Sequence, residues 1–259
     1  MPTAAAWPFL VILHLLVYPS SNGFNSYMDR DEGSIGGIEH PSAVPPQMYA
    51  LTWAMDALAL LLTWAAYNET TMGLLFAYIL ASRAYSSRSI RLKKYPFLGY
   101  GIVVVFQGAW IFAMTCWTLS DPLTWDVATW LGGLASLALL GASYPLTQIY
   151  QHEQDMRDGV KTLSYVLGVR GTFVFSMTMF AVFLGLMFSY LLTEQWGWMW
   201  AWGLLLAMSP AAIHLVTWCK AAWQDPREAN YKNTMVMSTR GALCTNAYFA
   251  SMLLMSWMN

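Results

Sequence analysis

Charge is what this chain lacks. Asp, Glu, Lys and Arg make up only 10% of its 259 residues, against roughly a quarter of an ordinary soluble domain. The net charge of −1 offers no basic field to draw nucleic acid, so none is expected as a partner. Cysteine is scarce as well. Cys116, Cys219 and Cys244 fall in or beside separate apolar runs without CxxC spacing, which excludes a disulfide framework and a zinc site and leaves packing as their role. No basic residue precedes the first apolar run, so residues 1–20 lack the positive start of a secretory signal and read as a true membrane span.

What the chain has in abundance is apolar sequence, at 57% of residues. Long apolar runs occupy 5–22, 47–67, 71–86, 97–119, 124–149, 172–193, 196–218 and 241–258, most of them near the roughly 20 residues that cross a bilayer as helix. The spacing predicts an all-α, polytopic transmembrane helical bundle of about eight spans, forming one domain over 1–259. Eight spans divide the connecting loops into two sets facing opposite sides. All thirteen basic residues fall in one set, whose loops lie near 23–46, 83–96, 150–171 and 219–240. The other set carries Glu69, Asp121, Asp126 and Glu194 and no Lys or Arg. The positive-inside rule therefore places the long polar loops in the cytoplasm and the N-terminus outside.

Three of those loops are chemically distinctive. "NSYMDRDEGSIGGIEHP" (25–41) is acidic and Gly-rich, "RAYSSRSIRLKKYPFLG" (83–99) is basic, and "QHEQDMRDGVKTLSYVLG" (151–168) is acidic again among bases. Asn25 and Asp29 stand four apart, and Gln148, Gln151, His152 and Asp155 follow at i, i+3, i+4 and i+7, so each set is expected to share one helix face. Oxygen ligands with few carboxylates suit Mg²⁺, which keeps waters and bridges a carboxylate to a substrate phosphate. With Arg91, Lys93 and Lys94 close by, such a face would receive a diphosphate, because cations and metal together stabilise a departing polyanion. A diphosphate carried by an isoprenoid chain explains the membrane, since the tail belongs in the apolar bundle and the head at its aqueous edge. The resulting carbocation needs electron-rich walls, and fourteen Trp, fourteen Tyr and twelve Phe are available. For any single aromatic, an interfacial belt or helix packing is the simpler role.

At these residues the chain resembles the UbiA superfamily of intramembrane prenyltransferases. The first family signature has the form Asn-x-x-x-Asp-x-x-x-Asp; here "NSYMD" supplies Asn25 and Asp29, and the third position is Gly33. The second is often Asp-x-Glu-x-Asp followed by Gly and "TLxxxLG"; here it reads Gln151, Glu153 and Asp155, then "GVKTLSYVLG". The basic loop resembles the family's Tyr and Lys/Arg segment. The resemblance implies a helical bundle open to the cytoplasmic leaflet, with Mg²⁺ held by both acidic motifs. It also implies prenyl transfer from a diphosphate to a lipophilic or aromatic acceptor. Metal ligands by this reading are Asn25, Asp29, Asp31, Gln151, Glu153 and Asp155; diphosphate ligands are Tyr85, Arg91, Lys93, Lys94 and Lys161. Asp31 replaces the acid absent at 33 only if the end of the first span unwinds. The family usually has nine spans with this signature ending the second, so one helix is missing here relative to that pattern: either the start lies further upstream or the protein works with eight.

Within the spans, Asp56 is expected to line the cavity and act on acceptor or carbocation, because a carboxylate at such depth is functional or paired. His214 and His14 read as structural, and Lys232 with Asn233 either close over the diphosphate or belong to a solvated loop. Two alternatives stay open: a terpene cyclase of the same superfamily, needing no acceptor, and a lipid-phosphate transporter, against which stands the lack of an inverted repeat. Acceptor, prenyl chain length and oligomeric state carry no sequence signal.

Overall fold

The computed structural model describes residues 3–30, 32–120 and 125–258, and among these the chain is helical without a named strand. Eight long helices follow one another: α1 (residues 3–29), α2 (Gln47–Ala66), α3 (Glu69–Ser86), α4 (Pro96–Leu119), α5 (Val127–Gln148), α6 (Leu163–Thr193), α7 (Trp198–Gln224) and α8 (Tyr231–Met258). Each answers one of the apolar runs. Five of them, α2, α4, α5 with its extension to Arg157, α6 and α7, are long and apolar enough to cross a membrane. The chain is a multi-pass membrane protein.

Local chemistry sets where the rods begin and bend. The side chains of Asn68 and Asp126 accept the backbone N–H of Thr71 and Thr129, each at 2.8 Å, which satisfies donors that open α3 and α5. Helices α1 and α4 stay continuous through π-helical turns at Leu13–Val17 and Val104–Trp110, a wider winding that re-aims side chains. Below Pro145 the end of α5 tightens into a 3₁₀ turn, Ile149–Gln151, before a short helix His152–Arg157. In α6, Gly168 adopts φ 65° and ψ 173°, a region essentially reserved for glycine. The break sets the first turn apart from the rod, and Thr172 Oγ1 spans it by donating to Gly168 O at 2.8 Å.

One buried cluster joins Phe9, Leu13, Leu75, Tyr78 and Met114 of α1, α3 and α4, and another joins Phe183, Leu191, Leu204 and Met208 of α6 and α7. The connections after α1, α3, α5 and α7 meet at one end of the bundle, where a single pocket draws lining from all four. Exposed Trp7, Trp64, Trp117, Trp130, Trp198 and Trp257 sit at the helix ends on the opposite side, the level at which indole rings settle between hydrocarbon and water.

Candidate active site at the loop-rich end

Helix α1 stops at Asp29 because Arg30 turns left-handed (φ 55°, ψ 46°), its N–H returning to Ser26 O at 2.9 Å. Arg88 steadies this end by donating from Nε to Met28 O at 2.6 Å, a cation at a helix C-terminus. In the second loop Arg91 is also left-handed (φ 51°) and opens a 3₁₀ turn, Leu92–Lys94, after which Pro96 starts α4. Gly99 packs on that turn so closely that a Cβ there would stand 3.0 Å from Lys93 Cα. The result is a fixed Lys93 whose ammonium donates to both carboxylate oxygens of Asp29. The Arg91 guanidinium lies 3.8 Å from Asp29 and pairs directly with Asp158.

Asp29 and Lys93 border a pocket of about 760 Å³ together with Glu153, Asp155 and Asp158, whereas Arg91 is not among its lining residues and reaches it only through its pair with Asp158. Three predicted site residues are held in ways the spacing did not foresee. Gln151 donates its amide to Ser34 O at 3.0 Å. Glu153, on the rim, pairs with Arg157, both largely exposed. Lys94 lies over the Tyr95 ring, 5.0 Å from its centroid. Lys94 and Lys161 are exposed and do not line the pocket, and Asp31 lies outside the described residues. Of Gln148, Gln151, His152 and Asp155, expected on one face, His152 and Asp155 line the pocket, whereas Gln148 is buried; His152 Nε2 also meets Ser164 Oγ at 2.8 Å. From the last loop Asn230 and Tyr231 reach the pocket, whereas Lys232 is exposed and the Asn233 amide binds Glu228 O at 2.9 Å.

Asn25 and Tyr85 belong to a second, smaller chamber of about 240 Å³, with Ser82, Ser86, Gln107 and Tyr144 among its walls. Ser86 Oγ donates to Asn25 Oδ1 at 2.7 Å, and the Tyr85 and Tyr144 hydroxyls bond to each other. Both tyrosines line this chamber and neither lines the larger pocket. Across α5, an apolar cavity of about 390 Å³ is lined by Ala142, Leu146, Phe180, Met208, Leu215 and Met237.

Asp56 is elsewhere. It forms a buried ion pair with Arg83, Nε to Oδ2 at 2.9 Å, and accepts Ser20 Oγ at 2.6 Å. Arg83 also donates to Thr52 O at 3.1 Å and lies 4.0 Å and 4.9 Å from the ring centroids of Phe24 and Trp53. The cavity role expected of Asp56 is thus replaced by a charge pair tying α1, α2 and α3, because an acid at that depth must find a cation. Asp158 and Tyr144 are site residues that sequence spacing passed over. Asp158 had a signal, as the third acid of a dense charged stretch; Tyr144 had none, since its partner is 59 residues away.

Whether the pocket suits a divalent ion differs between its two sides. Asp29 presents both oxygens to an ammonium. Among the described residues no three His, Cys, Asp or Glu side chains gather closely enough to cage a metal. On the other side Asp155 lines the pocket, and Glu153, two residues away and paired with Arg157, would have to leave that pair to join it; one such carboxylate fits an ion that keeps waters and takes substrate oxygens. A profile of the UbiA prenyltransferase family matches residues 2–239. No curated protein and no solved structure matches the chain.

Proposed function

Since the chain belongs to the UbiA prenyltransferase family, we propose that it uses Mg²⁺ to transfer a prenyl group from a prenyl diphosphate to a lipophilic or aromatic acceptor within the membrane. The observation that supports this most is the pocket, lined from four separate loops, in which three of them bring Asp29, Lys93, Asp155 and Asp158 together at one end of the apolar bundle. Lys93 and Arg91 bind the diphosphate and neutralise the charge that grows on it as the allylic carbon–oxygen bond breaks. Asp155 and Glu153 would hold Mg²⁺, which adds Lewis-acid stabilisation of the departing diphosphate. The prenyl tail lies in the apolar cavity beyond Leu146, away from water. The acceptor enters the chamber of Asn25, Tyr85 and Tyr144, where the tyrosine hydroxyls orient it and their rings face the cation. Because the loops without Lys or Arg lie at the other end, the pocket faces the cytoplasm.

Purified protein in vesicles with Mg²⁺ and a labelled prenyl diphosphate tests the reading. Diphosphate release that requires an added acceptor is the expected result. Release without acceptor, with a cyclic hydrocarbon or alcohol as product, would make the chain a cyclase, and uptake of intact label a transporter. Asp155→Ala and Asp29→Ala should each lower release by about 10²–10³-fold, the scale of losing one preorganised charge-stabilising group; unchanged rates would remove both residues from the site.

A further inference from the structure

We infer that Lys93 takes the place of one metal ion: its ammonium bridges Asp29 to the diphosphate, so that the chain loads a single divalent cation, on the side of Asp155. The inference rests on the prenyl diphosphate reading above and concerns how the same pocket divides its positive charge.

An ordinary lysine–aspartate pair is exposed and loosely held. Here the side chains of Lys93 and Asp29 are only 10% and 6% exposed, and the ammonium meets both carboxylate oxygens. A dication on Asp29 would have to expel that ammonium and then sit beside the Arg91 guanidinium, 3.8 Å from the same carboxylate. Lysine has three N–H donors. Two are engaged by Asp29, and the third is available to a phosphate oxygen, which gives the ammonium the bridging geometry a metal would otherwise supply.

The positions that would complete a carboxylate set for an ion at Asp29 point the same way. Residue 33 is glycine and supplies no carboxylate; a Cβ there would meet only Gln154 Oε1, at 2.6 Å, the movable end of a flexible side chain. Residue 151 is an uncharged Gln whose amide is bound to Ser34 O. The backbone also holds Lys93 in place, through the left-handed Arg91 before it and the close contact of Gly99 behind it. A strained non-glycine residue retained at a site is a sign that position matters there.

The test counts ions. The full chain in detergent is dialysed against Mn²⁺, which shares the oxygen-ligand preference of Mg²⁺, and radiolabelled inorganic pyrophosphate; bound metal and bound pyrophosphate are both measured per chain. Wild type should hold a single Mn²⁺ with each pyrophosphate, Lys93→Arg likewise, and Lys93→Met should take up a second Mn²⁺ at raised metal concentration. Two Mn²⁺ on wild type with pyrophosphate bound would overturn the inference and leave the diphosphate reading intact. So would a Lys93→Met protein of unchanged tryptophan fluorescence and elution volume that binds pyrophosphate with wild-type affinity and still only one ion. Failure of wild type to bind pyrophosphate at all would overturn the diphosphate reading, and this inference with it.

Discussion

The ion pair between Asp56 and Arg83 makes a prediction whose size follows from its surroundings. Removing one member of a buried pair strands the other charge and costs about 3–5 kcal/mol, so Arg83→Met and Asp56→Leu should each destabilise by that amount. Removing both should cost far less, because apolar replacements of similar volume carry no desolvation penalty. The structure indicates why little polarity would be left stranded: Ser20 Oγ lies 2.8 Å from Thr52 O, to which its one proton can turn when Asp56 is gone. The double variant should therefore lie within about 1–2 kcal/mol of wild type, a departure from additivity that marks direct contact. Unfolding by SDS titration in mixed micelles, followed by the fluorescence of fourteen tryptophans, measures all four proteins. Destabilisation of the double variant equal to the sum of the singles would refute the pairing argument. A double variant that is stable but releases no diphosphate would return Asp56 to the chemistry.

Three further outcomes are expected. Gly168→Ala should cost about 1–3 kcal/mol in the same titration, because its backbone region is closed to other residues; no loss would mean the break in α6 is not required. Gly99→Ala should push the Lys93 turn aside and raise the KM for prenyl diphosphate about tenfold, equivalent to roughly 1.4 kcal/mol of binding, and an unchanged KM would uncouple the turn from substrate. Tyr144→Phe should leave the Tyr85 hydroxyl buried without its partner at a cost of about 1–3 kcal/mol, more than the Tyr85→Phe/Tyr144→Phe double variant; equal stabilities would show the hydroxyl pair to be weak.

Much of the architecture was legible because a bilayer demands long apolar runs, and the run at 97–119 became Pro96–Leu119 almost residue for residue. The meeting of loops was legible as well, since alternate connections of a spanning bundle must lie on one side. What spacing did not reach was how the acidic stretch is used: His152 and Asp155 line the pocket, whereas Gln148 is buried and the Gln151 amide is taken by Ser34 O of the loop after α1. Partner choice was the other limit. Arg83 reads from the sequence as a topogenic loop base, yet it is only 7% exposed, because Asp56 draws it inward. Asn230 and Asn233 share their chemistry and stand three residues apart; that Asn230 meets the pocket while Asn233 binds Glu228 O depends on how α8 begins.

Helix α3 carries Arg83 and is not among the helices apolar enough to cross a membrane on their own merits. Arg83 lies in the last turn of α3 and so costs less than a charge at a helix centre, about 2.5–3.5 kcal/mol on insertion scales, a burden closer to the one α2 carries in Asp56. Only Tyr67 and Asn68 join the two helices, so the opposite charges come into register as soon as α3 folds back on α2. The expected unit of insertion is therefore the hairpin, in which α2, apolar enough to cross by itself, carries in α3, which is not.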